Sequence, residues 1–332
     1  MTDATDTGPV LAADGSPLKR SLGRALRRQK LRALALVAPL LIFVLITFIF
    51  PIASMLFRSV QNDIASNTLP YTVQALAKWD AESSDLPAEE VYQAMYFDMF
   101  LAAEAKRHTR LGTRLNYEQT GISSLFRQSG RKLDDLGKDV ERALGKLNSD
   151  WKDGGTWYHL LNAGQGTADM ALLNVQRNRV VALTDRSVSG NLNFSPSAEM
   201  AELLPATTKA YTVWVVYTAT QSDKDPATKS PWEAIPVALA LDLQTTDLSG
   251  YSGTAADLLI QAQAANLPLP TFTKAFAEID EDWATAIPWK TIQTHSGIYT
   301  SGYFLNAVDA QKTPQGIAWQ PEDKQILLKL FV

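Results

Sequence analysis

The densest acidic clusters of the chain are Asp134-Asp135 and Asp280-Glu281-Asp282, the residue types that acid–base catalysis or a divalent cation would employ. Either use needs carboxylates that converge from several elements. Each cluster instead sits in one short run, where it reads as a solvated helix end. His108, His159 and His295 are the three histidines; they lie far apart, form no metal-ligand spacing, and read singly as surface or satisfied core residues. The absence of cysteine excludes disulfides, thiolate metal sites and cysteine nucleophiles. No Gly-x-Ser-x-Gly elbow, P-loop, His-Glu-x-x-His or dinucleotide glycine fingerprint occurs. An enzyme therefore has no motif in its favour, and no catalytic residue, metal or cofactor is expected. The eight tryptophans could stack on a cation or a sugar. Six of them, Trp79, Trp151, Trp157, Trp214, Trp283 and Trp289, fall instead at matched places of an internal repeat, as core anchors would.

The elements that must hold these residues follow from charge and hydropathy. With 332 residues, 46% hydrophobic and 20% charged, the chain has room for more than one domain and the composition of a globular protein. A mean hydropathy of −0.10 is too low for a polytopic membrane protein but leaves space for one span. That span is Ala33–Phe57, an uncharged run of 25 residues; as a helix it reaches roughly 37 Å, more than the roughly 30 Å of a bilayer core. It is longer than the h-region of a cleaved signal peptide and is followed by no small-x-small site. Seven cations precede it (Lys19, Arg20, Arg24, Arg27, Arg28, Lys30, Arg32) and Arg58 closes it. The positive-inside rule then keeps residues 1–32 in the cytoplasm, uses 33–58 as the anchor, and sends 60–332 across the membrane. From Ser59 onward 23 Lys and Arg stand against 32 Asp and Glu, a net of about −9, which argues against nucleic-acid binding. Two further uncharged runs, Tyr211–Ser222 and Leu258–Thr273, are not spans: the first reads as a β-branched strand, the second is broken by Gln, Asn and proline.

The exported part contains a repeat. Leu69-Pro70-x-Thr72-x-x-Ala75-x-x-x-Trp79 recurs as Leu204-Pro205-x-Thr207-x-x-Ala210-x-x-x-Trp214. Pro87 to Met99, with Ala94 and Asp98, is answered by Pro231 to Leu243, with Ala238 and Asp242. Val140 to Trp151 and Trp157 are answered by Phe272 to Trp283 and Trp289, and Thr167-x-x-Met170-Ala171-Leu172 by Thr300-x-x-Tyr303-Phe304-Leu305. Four blocks in one order predict a tandem duplication: copy one at 62–178, a join at 179–200, copy two at 201–311 and a tail at 312–332. Whether the copies pack together stays open; if they fold apart, a protease acting near Val188–Ser197 separates them. Within the copies, helices are expected over Pro87–Arg107, whose first turn carries Glu89 and Glu90, over Asp135–Asn148, and over Thr271–Glu281. Turns or short hairpins are expected over Val175–Phe194 and Ala310–Lys324. The fold class is mainly α, with one transmembrane helix and a few short strands.

The basic tail, the run APLLIFVLITFIFPIASMLFRSV and the pattern Phe48-x-x-Pro51-x-x-x-Met55-x-x-x-Ser59 resemble the start of a binding-protein-dependent ABC transporter permease of the spermidine/putrescine class. The likeness continues through Arg114–Leu133, Asp280–Trp289 and Tyr299–Asp309, with Gln325–Val332 standing where such a permease approaches its second span. It covers the amino-terminal part of the permease only; the remaining spans and the cytoplasmic coupling loop have no counterpart in the chain. The resemblance implies the inner membrane of a bacterium, import of a polyamine-like or other small solute, and as partners the remaining permease spans or a partner permease, an ATPase subunit and a periplasmic solute-binding protein, besides membrane lipid. The alternative is a single-span, membrane-tethered periplasmic adaptor without transport activity.

Overall fold

The computed structural model describes residues 18–60, 62–82, 85–164, 166–188, 192–221, 225–297, 299, 305, 308–313, 316–322 and 325. The repeat block Thr300-x-x-Tyr303-Phe304 and most of the basic tail and of 312–332 lie outside the described residues. The described chain is mainly helical and divides into two bodies, residues 1–61 and residues 62–332.

The first body is a run of helix: α1 (Leu18–Val44), a π turn (Leu45–Ile49) and α2 (Phe50–Val60). Pro51 explains the interruption, because it has no N–H to donate and its ring crowds the carbonyl four residues back. The Phe50 N–H accordingly reaches five residues back, to the Leu45 carbonyl. From Leu26 to Phe57 this helix is long and apolar enough to cross a membrane, and its Leu, Ile, Val and Phe side chains are exposed.

The second body strings together α3 (Ile64–Thr68), α4 (Pro70–Leu76), α5 (Glu89–Glu104), α6 (His108–Asn116), α7 (Ile122–Leu147), α8 (Gly154–Leu161), α9 (Met170–Thr184), α10 (Ala198–Leu203), α11 (Pro205–Ala219), α12 (Ala234–Thr245), α13 (Ala256–Ala264), α14 (Phe272–Ile279) and α15 (Ala286–Thr294). It ends in an antiparallel hairpin of β1 (Ala310–Thr313) and β2 (Gly316–Trp319), within the stretch where a hairpin is expected. Helix α5 starts with Glu89 and Glu90, favourable at the positive end of the helix dipole. The face of α7 that carries Leu125, Phe126, Leu133, Val140 and Leu144 is buried; the helix expected from Asp135 is the last half of this longer one.

Two tryptophan corners follow the same design. After α7, Asn148 Oδ1 accepts from Asp150 N at 2.9 Å, and Trp157 Nε1 donates to the Trp151 carbonyl at 2.9 Å. After α14, Asp280 Oδ1 accepts from Asp282 N at 3.1 Å, and Trp289 Nε1 donates to the Trp283 carbonyl at 3.2 Å. The ring centroids stand 4.9 Å apart in both pairs. The corners are exchanged in space. Trp283 packs on Phe126 of α7 and donates its Nε1 to Ser129 Oγ at 2.8 Å, and Tyr92 of α5 donates to the Trp283 carbonyl at 2.8 Å. Tyr158 of α8 stacks through Phe194 onto Tyr211 and Trp214 of α11. One hydrophobic core thus draws on residues from Ala65 to Ile292.

Two expectations are corrected. Tyr211–Ala219 is not a strand but the end of α11; nearly all its side chains are buried, so no polar face shows a helical period, and the core overrides the β-branched propensity. Val175–Thr184 is not turn or hairpin but the main part of α9, whose buried stripe Leu173, Gln176, Val180, Leu183 is helically spaced yet interrupted by a glutamine.

Candidate functional site

Helix α5 carries Glu90, Gln93, Ala94, Phe97, Phe100 and Leu101 on one stripe, and α11 carries Ala206, Lys209, Ala210 and Val213 on another. These i, i+3, i+4, i+7 spacings turn both stripes to a common cavity of about 300 Å³, completed by Tyr71 of α4, Arg179 of α9 and Trp232, Ala234 and Ile235 at the start of α12. Alanines stand at 94, 206 and 210 of the lining, and Phe97, Phe100, Leu101, Val213, Trp232 and Ile235 supply its larger apolar walls.

The polar side rests on Asp98, which is fully buried beside the cavity. Its Oδ1 pairs with Arg179 Nη2 at 2.7 Å, and its Oδ2 accepts from Thr72 N at 2.7 Å and Thr72 Oγ1 at 2.8 Å. Burial pushes this carboxyl above the ordinary aspartate range, against the opposing pull of Arg179 and Thr72. Tyr71 lies under both cations, with Arg179 Cζ 4.7 Å and Lys209 Nζ 3.1 Å from its ring centroid. Gln176 Nε2 donates to the Tyr71 hydroxyl at 3.1 Å and holds the ring in place. Burial, and then the neighbouring Arg179, push Lys209 down to about 8, while Asp98 pulls it up. Arg179 Nε is buried with no hydrogen-bond partner among the described residues.

Asp242 shows how a buried carboxylate is satisfied by N–H and hydroxyl donors, with no cation on it among the described residues. It accepts from Ala206 N at 3.1 Å, Thr207 N at 2.7 Å and Thr207 Oγ1 at 2.6 Å, and burial raises its pKa foremost. Thr72–Asp98 and Thr207–Asp242 stand at positions that the expected repeat aligns, and in both the threonine binds the aspartate through its N–H and its hydroxyl.

The acidic clusters lie elsewhere. Asp135 is exposed and pairs with Lys138 at 2.7 Å, and Asp280 turns back on its own helical corner. His108 sits against Gly130, with its Nδ1 3.4 Å from the Ala102 carbonyl; His159 is exposed; and His295 Nδ1 lies 3.8 Å from Glu118. Among the described residues no three His, Asp or Glu side chains gather as metal donors. Of the six tryptophans expected as core anchors, five are buried and Trp79 is partly buried. Sequence reasoning did not find Tyr71, Arg179, Lys209 or Trp232 as a group. The available signal was the helically spaced stripe Ala206, Lys209, Ala210, Val213, of which only Val213 falls in Tyr211–Ser222, the run expected as a strand. No protein-family model, curated protein or solved structure matches the chain.

Proposed function

We propose that the chain is the membrane-anchored component of a small-solute importer, with one span and a helical domain outside the cytoplasm that receives the solute. The observation that carries this is the exposed apolar helix Leu26–Phe57, with seven cations before its uncharged run and Arg58 after it. The permease-like pattern from Phe48 to Ser59 supports an ABC importer of the bacterial inner membrane, and the polyamine class is what that likeness implies. One apolar helix supplies no polar path for a charged solute, since a charge at the bilayer centre costs at least about 2.5–3.5 kcal/mol. Transport therefore needs a polytopic partner and an ATPase; the chain itself binds and does not catalyse. The domain reads as a tandem duplication, supported by the matched threonine–aspartate pairs and tryptophan corners. The single helix of spanning length among the described residues also supports a second reading, a tethered adaptor with no transport role.

Alkaline phosphatase fused after Val332 should be active in a bacterial host, and an inactive fusion would overturn the orientation. Co-purification with a polytopic membrane protein and an ATPase is expected for the importer, and their absence favours the adaptor. Solute accumulation by proteoliposomes containing only this chain and an ATPase would refute the need for a partner.

A further inference from the structure

We propose that the cavity between α5 and α11 binds a small amphipathic carboxylate, its anionic head against Lys209 and Arg179 and its apolar body against Phe97, Phe100 and Trp232. This rests on the reading that the domain receives a solute, and assigns that solute a class other than the polyamine that the permease likeness implies.

Three observations converge. The cavity, at about 300 Å³, stands at the low end of the roughly 300–1,000 Å³ found for small-molecule sites, and its walls are mostly aromatic and aliphatic. Its two cations, Arg179 and Lys209, face two carboxylates, Asp98 and Glu90, but the pairing is uneven among the described residues. Asp98 is already engaged by Arg179 and Thr72, Glu90 is exposed, and Lys209 has the Tyr71 ring and the field of Asp98 but no carboxylate within salt-bridge distance among the described residues. Finally, Arg179, with 9% of its side chain exposed, keeps a buried Nε without a partner among the described residues. Arg179 lines the cavity with Lys209, and a carboxylate head neutralises Lys209 while sharing the Arg179 guanidinium with Asp98. A polyamine would set ammonium groups against both cations. A neutral hydrocarbon would leave both unmatched, and inorganic phosphate would waste the apolar walls.

The test is calorimetric titration of the full chain in lipid nanodiscs with 3-phenylpropionate, 3-phenylpropan-1-ol, 3-phenylpropylammonium and inorganic phosphate. The acid is expected to bind at least tenfold more tightly than the alcohol or phosphate, and the ammonium compound not at all. Lys209→Met should weaken the acid at least tenfold and leave the alcohol unchanged. Because Lys209 titrates near 8, wild-type affinity for the acid should fall between pH 7 and 9. The Lys209→Met profile carries whatever Asp98, Glu90, Arg179 and Tyr71 contribute and should be flatter. Equal affinity for acid and alcohol, tightest binding of the ammonium compound or of phosphate, no binding by the folded chain, or a wild-type profile level through pH 9 would each overturn the proposal. Nanodiscs expose both faces, so the titration is independent of topology: acid binding with an inactive phosphatase fusion removes the importer and keeps the site, and the reverse removes the site alone.

Discussion

Asp98 and Asp242 are both buried and bound by a threonine, yet among the described residues only Asp98 of the two pairs with a cation, Arg179, at 2.7 Å. A buried pair adds little net stability over apolar substitutes, but removing one partner leaves the other charge uncompensated. Arg179→Met should therefore cost about 3–5 kcal/mol in urea unfolding, and adding Asp98→Asn should recover part of that loss, because the orphaned carboxylate goes with it. If the double variant is no more stable than Arg179→Met, the pair is not the source of the cost. Lys209 supplies a test by linkage. Its folded pKa of about 8 lies below its ordinary 10.5, so between these values the unfolded chain binds more protons than the native one, and stability rises with pH. The group's contribution is present above 10.5 and lost as pH falls through 8. The stability of wild type relative to Lys209→Met should accordingly climb across that window in unfolding titrations, and a constant difference would mean that the ammonium is not desolvated.

Helix α7 shows that a glycine in a helix interior can be there for the neighbour's sake. A Cβ at Gly137 would stand 2.5 Å from the Glu233 carbonyl oxygen, a backbone atom at the start of α12, whereas one at Gly145 would meet only the flexible end of Lys152. Propensity alone favours alanine at both by about 1 kcal/mol. The expectation is opposite signs: Gly145→Ala neutral or stabilising, Gly137→Ala destabilising by about 1–3 kcal/mol as α7 is forced off α12, both measured by thermal unfolding. The helices legible in the sequence, α5, the second half of α7 and α14, are those with a distinct end signal or a one-sided apolar stripe. Helix α11 was not legible because burial on all sides erases the period, and α9 because Gln176 stands where its stripe needs an apolar residue. The cavity was illegible for a different reason. Its cations and its ring come from α4, α9 and α11, which no spacing along the chain connects, and Lys209 could be placed only once α11 was known to be a helix.

The exchange of corners decides how the second body holds together. The segment with α14 and α15 reaches back over the first half: Gln293 Nε2 donates to the carbonyls of Leu76 and Trp79 at 2.7 and 3.0 Å, and Glu89 caps α14 through the Phe272 and Thr273 N–H groups. The first half reaches forward, with α9 packed beside α11, Tyr217 donating to the Glu104 carbonyl at 2.8 Å and Ser230 to the Lys152 carbonyl at 3.0 Å. Independent halves would make the join near Val188–Ser197 a cleavage point that releases two folded pieces. A core that runs through both leaves each half alone with its apolar faces open. Limited proteolysis should accordingly cut the join without parting the pieces, which should co-elute on gel filtration until denaturant is added. Fragments 62–188 and 192–297, expressed separately, should each lack cooperative unfolding by circular dichroism and regain it on mixing. The mixed complex should be abolished by Trp283→Ala in the second fragment, since that ring fills the place between Phe126 and Ser129 of the first and its truncation costs about 3–5 kcal/mol. Cooperative unfolding of either fragment alone would show that the exchanged corners are not what joins the halves.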